Sequence, residues 1–165
     1  MRIGVRLGVD VGKARVGVAR SDPHGMLATP VETVPRDLGG DADLVRIAQI
    51  AADLDAVEVI VGLPLNLRGE RTPSTDDAAA FAERLASRLD GDGVPVRLVD
   101  ERLSTVSAQG QLRQAGKKTK QSRSIIDQAA AVVILQHGLD VERARGEAPG
   151  HAVAIPEPPE EETRT

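Results

Sequence analysis

No cysteine, tryptophan or tyrosine occurs in the 165-residue chain, and Phe81 is its only aromatic residue. The missing thiols exclude a disulfide framework, a thiolate metal site and a cysteine nucleophile, and they fit a reducing, intracellular compartment. The missing aromatics exclude stacking platforms, so a nucleic-acid binder of this composition reads backbone and shape rather than single-strand bases. Histidine is scarce too, with three in all. His24 lies in a turn signal, His137 near a helix end and His151 further on, without zinc-ligand spacing or a Ser-His-Asp arrangement. Long apolar runs are also absent: Arg2 and Arg6 interrupt the start before a signal-peptide core can form, and no stretch approaches the ~18 apolar residues of a membrane span. A soluble, cytoplasmic protein with no membrane partner is expected.

The length suits one domain with a real core, and Val, Leu, Ile and Ala must fill it, as in a buried sheet covered by helices. The net charge of −4 argues against a generally basic surface. Its distribution is uneven, however: Arg113, Lys117, Lys118, Lys120 and Arg123 form a stretch without acids, whereas Glu157, Glu160, Glu161 and Glu162 close the chain. The basic stretch suits salt-dependent phosphate contacts that read little sequence.

Residues 6–11 and 16–21 read as two strands joined by a Gly12-Lys13-Ala14-Arg15 turn, and 27–34 as a third strand in which Pro30 suggests an edge or a bulge. Asp41 is placed to cap a helix with apolar positions Leu44, Ile47, Ala48, Ala51 and Leu54. A buried strand over 57–62 follows, then a polar loop, a helix from 73–75 to about Leu89, and a strand over 94–99. Helices are expected from Ser104 to about Gln114 and from Ser124 to about Asp140. Residues 141–165 have the glycine, proline and glutamate content of a disordered, acidic tail, which leaves 1–140 as the domain.

Three carboxylates break apolar patterns. Asp10 interrupts an apolar strand in GVDVGKARVGVA and shares a strand face with Gly8 and Gly12, so small neighbours leave space beside it for a metal or a phosphate. A competing reading pairs Asp10 with Lys13 or Arg15 across the turn. The glycine spacing and the following strand exclude a Rossmann fingerprint, and no Walker A sequence occurs. In VDERLST, Asp100 and Glu101 end a strand and point to opposite faces, so only one of them can share the face of Asp10; the pattern leaves both open. Asp127 interrupts the apolar stripe of Ala130, Ala131 and Ile134 on the last helix, where it is either a further ligand or a helix-start acid favoured by the dipole. Together such carboxylates suit Mg²⁺, a hard cation that keeps several waters, and two-metal phosphodiester cleavage needs no histidine or cysteine.

GVDVGKARVGVA, the loop VGLPLNLRG (61–69), VDERLST and IDQAAAVVIL (126–135) occur in an order that resembles the bacterial YqgF/RuvX family, over about residues 7–139. The resemblance implies an α/β, ribonuclease H-like fold with a central, mixed, five-stranded sheet that starts with an antiparallel hairpin and is flanked by helices. It implies a Mg²⁺-dependent nuclease, with Mn²⁺ as a possible substitute, whose catalytic and metal-holding residues fall on Asp10, Glu101 and Asp127. This chooses Glu101 over Asp100. Lys13, Arg15, Asn66, Arg68 and Arg102 fall on motif positions that border the site and, with Lys117, Lys118, Lys120 and Arg123, form the expected nucleic-acid surface.

The implied substrate is precursor 16S ribosomal RNA, processed at its 5′ end, with ribosome-assembly components as further partners. The alternative is a four-way DNA junction in recombination and repair. Junction resolution calls for two symmetric sites and hence a homodimer, and the sequence reveals no interface, so a monomer or a homodimer is expected. Two other readings rank lower. An ATP-binding protein of the sugar kinase and chaperone superfamily would need a second such domain, and a non-catalytic adaptor would have no use for the acidic trio.

Overall fold

The hairpin expected at the start of the chain is present: β1 (Arg6–Val11) and β2 (Arg15–Ser21) pair antiparallel, with Gly8 opposite Ala19 and Asp10 opposite Gly17. The computed structural model describes residues 3–100 and 120–154. Within them follow β3 (Ala28–Pro35), α1 (Ala42–Asp53), β4 (Glu58–Leu63), α2 (Pro73–Leu89), a 3-10 turn (Asp90–Asp92), β5 (Val96–Asp100), α3 (Lys120–Arg145) and β6 (His151–Ala152). The helix expected from Ser104 lies outside the described residues.

The strands form one mixed sheet in the order β3-β2-β1-β4-β5-β6, parallel at β1/β4 and β4/β5 and antiparallel elsewhere. It has six strands where five were expected. The sixth is too short to show alternation in sequence, and it is seated by Arg97, which donates to the carbonyls of Pro149 (2.6 Å) and Gly150 (3.0 Å). Pro30 lies on the edge strand β3 beside a bulge, because Val18 faces Glu32 while Ala19 faces Pro30. Proline is tolerated there, where no ladder bond is demanded of it.

Helices cover both faces. Leu7, Val9, Val16, Val18, Val59, Val61, Val96 and Leu98 pack under Ile47 of α1 and Phe81, Leu85 and Leu89 of α2. Ala19, Ile60 and Val99 on the other face meet Ala131, Ile134, Leu135 and Leu139 of α3. Each buried Leu or Ile contributes about 1.5–3 kcal/mol, so aliphatic residues suffice without aromatic bulk.

Two helix ends differ from expectation. Asp41 stands at the N-cap of α1 without a side-chain cap bond; its carboxylate is drawn to Arg88 of α2 instead, and Asp37 accepts from the Ala42 amide at 3.1 Å. α3 begins at Lys120 and ends at Arg145, beyond both expected limits. Arg6, fully buried at the start of β1, donates to Glu142 Oε2 at 3.1 Å. A buried guanidinium needs such a partner, and only a helix running past Asp140 brings Glu142 to it.

Candidate active site

Asp10 and Gly17 are directly opposed in the hairpin and therefore share one face of the sheet. That face is covered by α3. A Cβ built on Gly17 would lie 1.9 Å from the backbone oxygen of Asp127, and one on Gly8 would lie 2.6 Å from Leu135 Cβ and 2.8 Å from the Ala131 oxygen. Only glycine admits a helix this close. The space expected beside Asp10 at Gly8 is thus filled by α3, and the small residues serve to seat Asp127 over the strand next to Asp10.

The turn of α3 that carries Asp127 is held from two strands. Arg15 Nε donates to Asp127 Oδ2 at 2.8 Å, with both side chains partly open to solvent. Gln128 Nε2 donates to Thr33 Oγ1 on β3 at 2.9 Å. Arg15 was expected either to border the site or to pair within its own turn; it reaches Asp127 of the last helix, and the guanidinium restrains a candidate ligand.

The chain leaves β1 toward β2 on one side and returns through β4 on the other, so the β1/β4 boundary is the switch point of the topology, where α/β sheets form crevices at their strand ends. At that end Arg36 donates to the Gly12 carbonyl (2.7 Å) and to both carboxylate oxygens of Asp77 (2.9 and 3.0 Å), tying the end of β1 to the N-terminal part of α2. Its guanidinium also lies 5.2 Å from the Phe81 ring centroid. The hydrogen bond from Arg36 holds the Asp77 carboxyl below its ordinary range despite partial desolvation.

β5 separates the two acids of VDERLST. Asp100 pairs in register with Leu63 and alternates with Val96 and Leu98, which face α1 and α2, so it is off the face of Asp10. Glu101, Arg102, Lys117 and Lys118 lie outside the described residues. The backbones of Lys120 and Arg123, expected in a loop before the last helix, belong to α3 itself; Lys, Gln and Arg continue a helix readily. Lys13 is exposed in the hairpin turn. Asn66 and Arg68 lie in the loop after β4, but the Asn66 amide is spent within that loop, its oxygen accepting from the Arg68 and Glu70 amides and its nitrogen donating to Glu70 Oε1, all at 2.9 Å.

The donors at this site suit Mg²⁺ in kind: carboxylate oxygens, partly open to water, with no sulfur or imidazole among them. Among the described residues no group of three acids or histidines is close enough to hold a metal, so a three-carboxylate site would need an acid from outside them. Gly17 escaped the sequence reading. Its signal was the hairpin register, which sets a glycine opposite the one strand aspartate.

A family model described as Holliday junction resolvase, RuvX, matches residues 4–141. The chain belongs to the RuvX family. This places it in a family of nucleases. RuvX relatives similar to it include proteins provisionally named pre-16S rRNA nucleases: that of Clavibacter sepedonicus is 61% identical over 153 residues, covering 93% of each chain. That of Leifsonia xyli is also 61% identical, covering 93% of this chain and 96% of its own, and that of Mycobacteroides abscessus is 55% identical over 143 residues. Among solved structures, RuvC of T. thermophilus in complex with a Holliday junction substrate superposes with a TM-score of 0.59 at 16% identity, covering 88% of this chain and 98% of that one. At that identity the likeness shows the fold, which is ribonuclease H-like. No helix among the described residues is long and apolar enough to cross a membrane.

Proposed function

We propose that this RuvX protein is a cytoplasmic nuclease that hydrolyses phosphodiester bonds in precursor 16S ribosomal RNA, using Mg²⁺ held by Asp10, Asp127 and Glu101. The observation that carries the reading is the seating of Asp127 over Gly17, which brings a carboxylate from the end of the chain to the strand face of Asp10. Strand alternation supports Glu101 as the third ligand, since Asp100 falls on the other face. The bound metal would activate the attacking water and offset charge on the leaving oxygen. Arg15 restrains Asp127, Arg36 and Asp77 hold the end of β1 against α2, and Lys13, Arg68 and the basic residues around Lys117 contact phosphates. Mn²⁺ would substitute, because the same oxygen donors accept it.

The names of the relatives favour RNA. The description of the family model favours a second reading, resolution of a four-way DNA junction by a homodimer. The deciding experiment is a side-by-side cleavage assay of precursor 16S RNA and a synthetic four-way junction with Mg²⁺ or Mn²⁺, for the wild type and Asp10→Asn. Cleavage of the RNA by the wild type, lost in the variant while folding and binding persist, supports the proposal. Unchanged cutting by Asp10→Asn overturns the metal site, and cutting of the junction alone overturns the choice of substrate.

A further inference from the structure

In the loop VGLPLNLRG the nuclease reading employs Arg68, while Asn66 braces the turn and Leu67 is left without a task. Leu67 is 85% exposed, more than any other large apolar residue among those described. Single exposed leucines are ordinary, so the exposure alone says little. The turn beneath it says more. Besides the three side-chain bonds of Asn66, the Asn66 amide donates to the Glu70 carbonyl at 3.0 Å and the Gly69 amide to the Asn66 carbonyl at 2.9 Å. Gly69 adopts φ +81°, which favours glycine. The base of the loop is fastened where the buried Thr75 hydroxyl donates to the Pro64 carbonyl. A leucine on a slack loop would fold down onto apolar surface; this one is held away from it.

Its place in the fold gives the display a use. The loop leaves the C-terminal end of β4, between the strand that carries Asp10 and the strand that leads into Glu101. Arg68, next to Leu67, is exposed as well, so the tip offers an apolar group and a cation side by side. Phe81, the only aromatic, is buried in the core. Without exposed aromatics, an aliphatic side chain is among the few groups left to disturb base stacking, and apolar wedges inserted between base steps are an established means of unstacking nucleic acid.

We propose that Leu67 is such a wedge: it enters a base step of the substrate next to the scissile phosphate, where a paired segment ends, and holds that step open while Arg68 contacts the flanking phosphate. The proposal rests on the nuclease reading for its location. Its test is read without cleavage.

A fluorescent adenine analogue, bright when unstacked, is placed at the last paired position of an RNA stem with a 5′ single-stranded extension and, separately, at the branch of a four-way DNA junction. Saturating Asp10→Asn protein should brighten at least one probe, and the brighter probe identifies the helix end that the wedge recognises. Adding Leu67→Ala in the same background should remove most of the rise while the Kd changes by less than about threefold, because phosphate contacts dominate affinity. In the otherwise wild-type chain, Leu67→Ala should slow cleavage by about tenfold, with recovery on a substrate made abasic at that step, where no stack remains to be opened. An unchanged rise with Leu67→Ala, or no rise on either probe with bound protein, overturns the wedge. Cleavage by the wild type without brightening refutes the wedge alone, and brightening without cleavage refutes the nuclease reading alone.

Discussion

Arg15, at the start of the second strand, donates through Nε to Asp127 Oδ2 on the last helix at 2.8 Å, joining residues 112 positions apart in sequence. The pair is half in solvent, with side-chain exposures of 37% and 17%. Its contribution to stability is therefore small, and its value is in holding a carboxylate where a metal ligand is wanted.

Arg15→Ala is expected to cost under about 1 kcal/mol of stability, as exposed ion pairs do. Cleavage should nevertheless fall by about tenfold or more, equivalent to about 1.4 kcal/mol of lost transition-state stabilisation. Arg15→Ala with Asp127→Asn should be no slower than Asp127→Asn alone, because the first residue acts through the second. Melting curves and single-turnover cleavage of the three variants check this.

Gly17→Ala puts a methyl group 1.9 Å from the Asp127 backbone oxygen, too close for both to stay in place. The helix must lift, at a cost of about 1–3 kcal/mol typical of overpacking, and it carries Asp127 away from Asp10. The expected result is a folded, destabilised protein whose cleavage is impaired beyond what the loss of stability explains. Denaturant titration beside the assay separates the two effects.

Far from the site, Arg6→Met leaves the Glu142 carboxylate, 4% exposed, without the guanidinium that it meets at 3.1 Å. Removing one partner of a buried pair costs about 3–5 kcal/mol, so the melting temperature should drop sharply. Hydrogen exchange should show the loss first at the C-terminal turns of α3, because Arg6 is among the groups that hold them on the sheet.

The Asp77 carboxyl is held below its ordinary value of 3.8 by the Arg36 hydrogen bond. A depressed carboxylate stabilises the fold fully above its unfolded value, and that contribution is lost as the pH falls through the folded one. Stability should therefore decline with acid below about pH 4. Asp77→Asn should be less stable at neutral pH and show a flatter decline there, which denaturation midpoints across the acid range would report.

Binding should weaken steeply with salt. Each of Lys117, Lys118, Lys120 and Arg123 that meets a phosphate should lower the log–log salt slope by about 0.7–0.9 when replaced by alanine, without changing sequence preference. Slopes unaltered in all four single variants would remove this stretch from the nucleic-acid surface.

Much of the fold and part of the site follow from local pattern. Strand alternation, glycine turns and helical apolar stripes depend on near neighbours, so the hairpin, β4, α2 and the start of α1 were legible, as was the oddity of Asp10 in an apolar strand. The sixth strand was not, since Arg97 seats His151 and Ala152 across 52 positions of chain or more. Nor was the full length of α3, whose last turns meet the sheet through contacts such as Arg6 with Glu142, 136 positions apart.

The same division runs through the site. Which residues bring acid was legible along the chain: Asp10, the Asp100–Glu101 pair and Asp127, among residues without thiols and with little histidine. What lies beside them came from packing in three dimensions. Hairpin register set Gly17 opposite Asp10 and let α3 descend on the strands, and the pairing of β5 with β4 turned Asp100 to the other face. Arg15 was given to Asp127. These are relations between strands and a helix distant in sequence, and packing creates them where no local periodicity records them.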